Sequence, residues 1–336
     1  MTREPFGTTD TGEAIERATI AGGGLTAKII NWGAAIQDLR IDGHDAPLVL
    51  GFDRFEDYPA HSPYFGAIAG RYANRIRGGR FEIDGKAFQV DTNFLGKHML
   101  HGGGKGIGKR AWTFREIGAD YVTLTLRDPD GAMGFAGNLD IVCTYRLEAG
   151  GVLAVDLEAS CDQPTLCNLA HHSYFNLDDG GETDCLGHGV MIEADAYLPV
   201  DDELIPTGTV ATVAGTEFDF RQMRAIRLVK DGEPVAYDHN FCLAAAQRPL
   251  ARAARVAASR SGLAMEVWTT EPGLQFYSGA KVARQVPGLD GRHYEAFAGF
   301  AMEPQVWPDA PHHRHFPQAV LRPGERYRQR TEYRFS

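Results

Sequence analysis

Apolar and polar positions alternate with a period of two along much of the chain. Leu139, Ile141, Cys143, Tyr145 and Leu147 fall on one face of an extended segment, with Asp140, Thr144 and Arg146 on the other. That is the pattern of a strand with one buried face. After a break at Ala149-Gly150-Gly151 the alternation resumes at Leu153, Val155 and Leu157, which predicts a hairpin. Phe81 and Ile83, then Phe88 and Val90, flank Asp84-Gly85, a dipeptide that supplies the positive φ of a tight turn, and predict a second. Further short strands are expected over 122–126, 265–269, 274–277 and 327–335. Only 250–259, rich in Ala and Arg, has helical propensity, and a helix that short is marginal without tertiary support.

Composition agrees with many short strands. The 336 residues include 39 glycines and 17 prolines, a surplus of turn formers over ordinary usage. The 43% of hydrophobic residues suffices for a large core, and no linker, repeat or low-complexity tract marks a boundary, so a single domain over 1–336 is expected. The formal charge of −10 and the lack of a Lys/Arg run argue against nucleic acid and against a basic membrane-binding face. No apolar stretch approaches bilayer-spanning length. Five cysteines (Cys143, Cys161, Cys167, Cys185 and Cys242) form no Cys-x-x-Cys pair, so reduced thiols are expected. With no signal-peptide pattern at the N-terminus, the expected location is the cytoplasm.

One motif is a decoy. Gly103 to Arg110 satisfies the first seven positions of a phosphate-binding loop, but Arg110 stands where a Ser or Thr hydroxyl is required. The following Trp112-Thr113-Phe114 favours a strand over the helix that would hold the phosphates. A glycine-rich loop beside a site is the better reading.

Five polar clusters interrupt the apolar runs. Gly70 to Ile76 carries Arg71, Asn74 and Arg75; an Arg beside a Tyr is more often a surface ion pair than a ligand contact. His98 to Gly103 sets His101 before glycines that could leave a cleft open, with an idle loop histidine as the plain alternative. In Asn168 to Leu177, an extended backbone puts His172, Tyr174 and Asn176 on one face and His171, Ser173 and Phe175 on the other. His171 and His172 therefore cannot share a metal ion. Tyr237 to Phe241 offers Asp238 either to a ligand's hydroxyls or to a turn. Met302 to Asp309 holds Glu303 between an apolar strand and a proline-rich loop, where burial would raise its pKa as suits a general base; a structural acid paired with an Arg is the competing reading. His312, His313 and His315 read as surface histidines with no acidic partner.

Together these clusters resemble the aldose 1-epimerases, or galactose mutarotases. The resemblance runs from about Gly22 to the C-terminus and includes Asn31 to Ala34, Val49 to Phe52, Gly70 to Ile76, Leu100 to Gly103, His172 to Leu177, Asp238 to Phe241, Thr270 to Tyr277 and Glu303 to Ala310. Ala170 and His171 replace the Thr-Asn of the family pattern, a departure expected to bear on substrate preference more than on mechanism. The resemblance implies an all-β fold, a large β-sandwich (supersandwich) with a sugar cleft across one sheet, in which 250–259 is strand and turn.

It further implies a mutarotase that interconverts α and β anomers of free aldoses without cofactor or metal. His172 would be the general acid on the ring oxygen and Glu303 the general base on the C1 hydroxyl, with Asn74, Arg75, His101, Asp238 and Gln275 holding the sugar. The expected partner is a monosaccharide. The acid must start protonated and the base ionised, so a neighbour is expected to keep the imidazole charged. Tyr174 or Trp307 could pack on the sugar ring. The alternatives are a non-catalytic carbohydrate-binding protein, a glycosidase using Glu303 with a second carboxylate, and an epimerase of phosphorylated hexoses.

Overall fold

The computed structural model describes residues 2–62 and 64–336. The hairpin read from the sequence pairs Leu139–Glu148 with Val152–Cys161 in continuous antiparallel register, Leu139 opposite Cys161 and Glu148 opposite Val152. The five apolar residues of the alternating face, Leu139, Ile141, Cys143, Tyr145 and Leu147, are buried. Gly150 and Gly151 turn the chain with φ of 84° and 75°, values an L side chain avoids. This hairpin supplies the third and fourth strands of a nine-stranded antiparallel sheet. Its strands run in the order Thr113–Ile117, Tyr121–Asp128, Leu139–Glu148, Val152–Cys161, Tyr327–Phe335, Ala264–Thr269, Ala251–Ala257, Gly189–Ile192 and Arg224–Ala225.

A second antiparallel sheet of six strands runs Tyr174–Phe175, Phe300–Gln305, Gly273–Tyr277, Asp238–Cys242, Ala196–Tyr197 and Ala211–Thr212. Alternation within these strands divides the sheet into two unlike faces. Phe175, Phe241, Leu274, Phe276, Phe300 and Met302 join the core with Val155, Leu157, Val267 and Tyr333 of the larger sheet. Asp238, Asn240, Gln275 and Glu303 occupy the alternate positions and point the other way. A four-stranded N-terminal sheet, Thr2–Thr8 through Ala35–Ile41, extends the same core with Ile20, Leu25 and Ile29.

The other strand expectations hold, including Asp84 and Gly85 at positive φ between Arg80–Ile83 and Lys86–Gln89. Helical propensity over 250–259 is overridden: Ala251–Ala257 is a strand laddered to Ala264–Thr269 and Gly189–Ile192. Ala253, Ala254 and Val256 are buried there, and an isolated helix of that length has no comparable stabilisation. The glycine-rich segment leads into the strand Thr113–Ile117, with no helix for a phosphate. Gly102, at φ 81°, lies so close to Gly70 that a Cβ would collide with the Gly70 carbonyl oxygen, which locks that loop against the Gly70 to Ile76 segment. All five cysteines are free. Among the described residues, no helix is long and apolar enough to cross a membrane.

Two sequence readings need correction. Arg71 is not at the surface: it is buried, with Nε 2.8 Å from Asp128 Oδ2 and further bonds to the carbonyls of Ala136 and Gly137. His312 and His313 do have an acid. Buried Asp309 meets His312 Nδ1 at 2.7 Å and His313 Nε2 at 3.5 Å. The loop after Glu303 turns back on itself there, a non-local approach that spacing does not announce.

Glu271, just before the strand Gly273–Tyr277, is 1% exposed and accepts a bond of 3.2 Å from Gln247 Nε2. Burial raises its pKa from 4.5 to about 7, with the Gln247 bond opposing. A carboxyl whose folded pKa lies above its unfolded one costs stability as pH rises between the two, and the cost is complete above the folded value. This rise corresponds to about 3 kcal/mol. Glu271→Gln is expected to raise the melting temperature at pH 8 and leave it unchanged near pH 4.5; equal melting temperatures at pH 8 would show that the carboxylate is solvated.

Candidate active site

The outward face of the six-stranded sheet sets its polar residues by register. Gln275 stands opposite Glu303 on one side and Asn240 on the other, so the three lie in one row across adjacent strands. Gln275 Nε2 donates to Asp238 Oδ1 at 2.5 Å, and Arg75 Nη2 donates to Asp238 Oδ2 at 3.1 Å. Arg75 comes from the two-residue strand Arg75–Ile76, paired with Met99–Leu100. Asn74, at φ 62°, is in the left-handed region that Asn tolerates, and its Oδ1 accepts from the Arg75 backbone N–H at 2.9 Å. The Asn74 N–H in turn donates to His101 Nδ1 at 3.2 Å. Nε2 of His101 therefore carries its proton.

His172 reaches this face from a break between the short strands Ala170–His171 and Tyr174–Phe175. Its N–H donates to the Ala67 carbonyl at 2.9 Å, and Tyr174 stacks on its ring at 5.0 Å between centroids. His172 Nε2 lies 3.4 Å from Glu303 Oε1, and both residues are buried. His101 meets His172 edge-on at 5.1 Å. All seven residues expected from the sequence are thus placed in one polar basin, and several of their buried atoms have no protein partner: Arg75 Nε, His172 Nδ1, Gln275 Oε1 and Glu303 Oε2. Buried polar atoms are ordinarily hydrogen-bonded, so such a cluster marks a place where a polar ligand completes the structure.

The electrostatics differ from the sequence expectation. No neighbour keeps His172 charged; burial lowers its pKa to about 4, against its own backbone bond and the charge of Asp238, which raise it. Burial, with Asp238 adding to it and Arg75 opposing, holds the Glu303 carboxyl well above its ordinary value. His101 is pushed well below its ordinary value by burial first, with neighbouring His172, Arg75 and Lys109 adding to it. The two shifts run in opposite directions, so burial favours a shared proton on Glu303 over one on His172 and disfavours the charge-separated pair.

His101, His172 and Glu303 each offer a ligand atom within 4.8 Å of the others, a donor set acceptable to a divalent transition metal. His171 takes no part. It faces the core, with Nδ1 3.4 Å from the Tyr333 hydroxyl and Nε2 2.9 Å from Ser173 Oγ. Ala170 packs on Ala69 and Ala73. Of the two departures, His171 thus points away from the basin. Trp307 is fixed by Nε1 donating to the Pro272 carbonyl and by Phe316, which favours the packing reading for it.

Tyr64 escaped the sequence reading. At φ 69°, its ring stands 4.6 Å from His101 and 6.0 Å from His172, with Lys109 Nζ 4.9 Å from it. Beyond it lies a cavity of about 810 Å³ lined in part by Trp32, Phe55, Lys105 and Lys109. An aromatic residue in a turn carries no signal for this placement.

A buried carboxyl and imidazole 3.4 Å apart, at the edge of a basin of unpartnered hydrogen-bonding groups on a β-sandwich, fit acid–base chemistry on a hydroxyl-rich ligand. The chain belongs to the aldose 1-epimerase family, whose profile matches residues 16–334. It is 41% identical to galactose mutarotase of Bos taurus over 341 residues, covering 100% of this chain and 98% of that protein. It is 37% identical to aldose 1-epimerase of Escherichia coli K12 over 322 residues, covering 93% and 92%. The structure of an aldose epimerase homologue from C. elegans superposes with a TM-score of 0.87 at 32% identity, covering 95% of this chain and 98% of that one.

Proposed function

We infer that this chain is an aldose 1-epimerase that interconverts the α and β anomers of a free aldose, with His172 and Glu303 as its acid–base pair. The observation that carries the reading is the 3.4 Å approach of the buried His172 and Glu303. Anomer exchange needs one acid, one base and no net proton. With the pair's proton on His172 and Glu303 ionised, ring opening passes the O1 proton to Glu303 and the His172 proton to the ring oxygen as the C1–O5 bond breaks. After rotation about C1–C2, the reverse transfers close the ring on its other face. The open-chain aldehyde therefore coincides with protonated Glu303 and neutral His172, the distribution that burial favours, so the site stabilises the ring-opened species. Asn74, Arg75, His101, Asp238 and Gln275 hold the hydroxyls, a single domain carries all of them, and the cytoplasm is the proposed location.

A pure binding module needs no such proton-sharing pair. For a glycosidase the second carboxylate would be Asp238, which is occupied by Arg75 and Gln275. A phosphorylated hexose would need a guanidinium free of carboxylate, and Arg75 bonds Asp238. The test is polarimetry or proton NMR of freshly dissolved α-galactose, α-glucose and L-arabinose; no acceleration for any of them defeats the reading. The rate should be flat over a broad neutral range. It should fall near pH 4, as His172 takes up a proton, and as pH rises through the Glu303 pKa, which burial holds above the ordinary carboxylate range. A maximum confined to acid pH would mean the pair does not hold one proton at neutrality.

A further inference from the structure

Asn240 is 2% exposed, and neither its Oδ1 nor its Nδ2 has a protein partner. It borders the basin beside Arg75, Asp238 and Gln275, while the opposite wall of Leu198, Val200, Leu204 and Pro206 is largely apolar and offers its amide little. Gly273 preserves its place: a Cβ there would come within 2.5 Å of Asn240 Oδ1. A primary amide both donates and accepts, so it can read a hydroxyl in either sense. An unsatisfied one in a well-packed strand is costly unless a ligand or water completes it.

Register fixes which part of the sugar it would meet. Asn240, Gln275 and Glu303 are in line on three adjacent strands, which sets the backbones of Asn240 and Glu303 about 10 Å apart, two strand spacings. With C1 and the ring oxygen at Glu303 and His172, the ring extends along this row toward Asn240. We propose that Asn240 is a substrate-contacting specificity residue that hydrogen-bonds the C3 or C4 hydroxyl, on the ring edge opposite the anomeric carbon. This rests on the mutarotase reading, and it assigns to the pair Asp238 and Asn240, two residues apart on one strand, the choice among aldoses that differ at that edge.

The test crosses enzyme variants with deoxy sugars. Mutarotation of galactose and of its 2-, 3-, 4- and 6-deoxy forms is measured for the unsubstituted protein and for Asn240→Ala, with melting temperatures to establish folding. The unsubstituted protein should lose about 10- to 100-fold in kcat/KM on the 3- or the 4-deoxy sugar, since a site built to bond a hydroxyl discriminates against its absence. Asn240→Ala should lose a similar factor on galactose, mostly through KM, and little more on that same deoxy sugar, because the interaction is already gone. Equal further losses on all the deoxy sugars, or coupling only with the 2- or 6-deoxy form, overturns the proposal. If Asn240→Ala does not fold, Asn240→Ser is read by the same criteria. Failure of the unsubstituted protein on every sugar would instead remove the mutarotase reading on which the proposal stands.

Discussion

Glu303→Gln is expected to lower kcat for galactose mutarotation by about 10²- to 10⁴-fold, the range over which a positioned acid or base contributes, with KM changed little. The substitution is unusually clean. Burial favours the protonated carboxyl of Glu303, and an amide of the same shape leaves packing undisturbed. The amide cannot accept the O1 proton. Melting temperature should therefore be retained, and at alkaline pH it should rise, because the variant has no buried carboxylate to ionise. Polarimetry of fresh α-galactose together with a thermal melt checks both parts. A folded variant within tenfold of the unsubstituted rate would move the base elsewhere.

His172→Ala is the second. It should cost about the same factor in kcat, because the ring oxygen loses its proton donor. It should also lower the melting temperature, since the imidazole is stacked on Tyr174 and faces Tyr64 and His101. The informative measurement is the double variant with Glu303→Gln. Two groups that share one proton act as a unit, and removing both should be scarcely worse than removing either, as for other relays whose effects are far from additive. If the losses multiply, His172 and Glu303 act independently and the one-proton account fails.

Strands with one buried face were legible in the sequence because burial alternates along them: Leu139–Glu148 and Tyr327–Phe335 are long enough to display the period. Arg75–Ile76 and Met99–Leu100, two residues each, are not, and their pairing is what brings Asn74 beside His101. The strand Ala251–Ala257 was ambiguous for another reason, since Ala and Arg suit a helix until a neighbouring ladder competes. The seven residues expected at a site were singled out because each lies in a cluster that resembles the family, and the structure brings them close together. Residues whose importance is positional were hidden. Tyr64 is one aromatic among thirty-four, counting 18 Phe, 12 Tyr and 4 Trp, and Asn240 matters only through its strand partners. Where the proton rests depends on how completely two residues 131 positions apart bury one another, and no local pattern carries that.

The strand Tyr327–Phe335 lies between Val152–Cys161 and Ala264–Thr269 and is the sole join between the two halves of the nine-stranded sheet. Its consequence is kinetic. Both halves must wait, each with an open edge, for a segment remote in sequence, so closure of the sheet is a late, high-contact-order event and folding is slow. Until it happens, two apolar edges are available to other chains. Recovery of this protein from denaturant should therefore depend on dilution far more than its native stability would suggest.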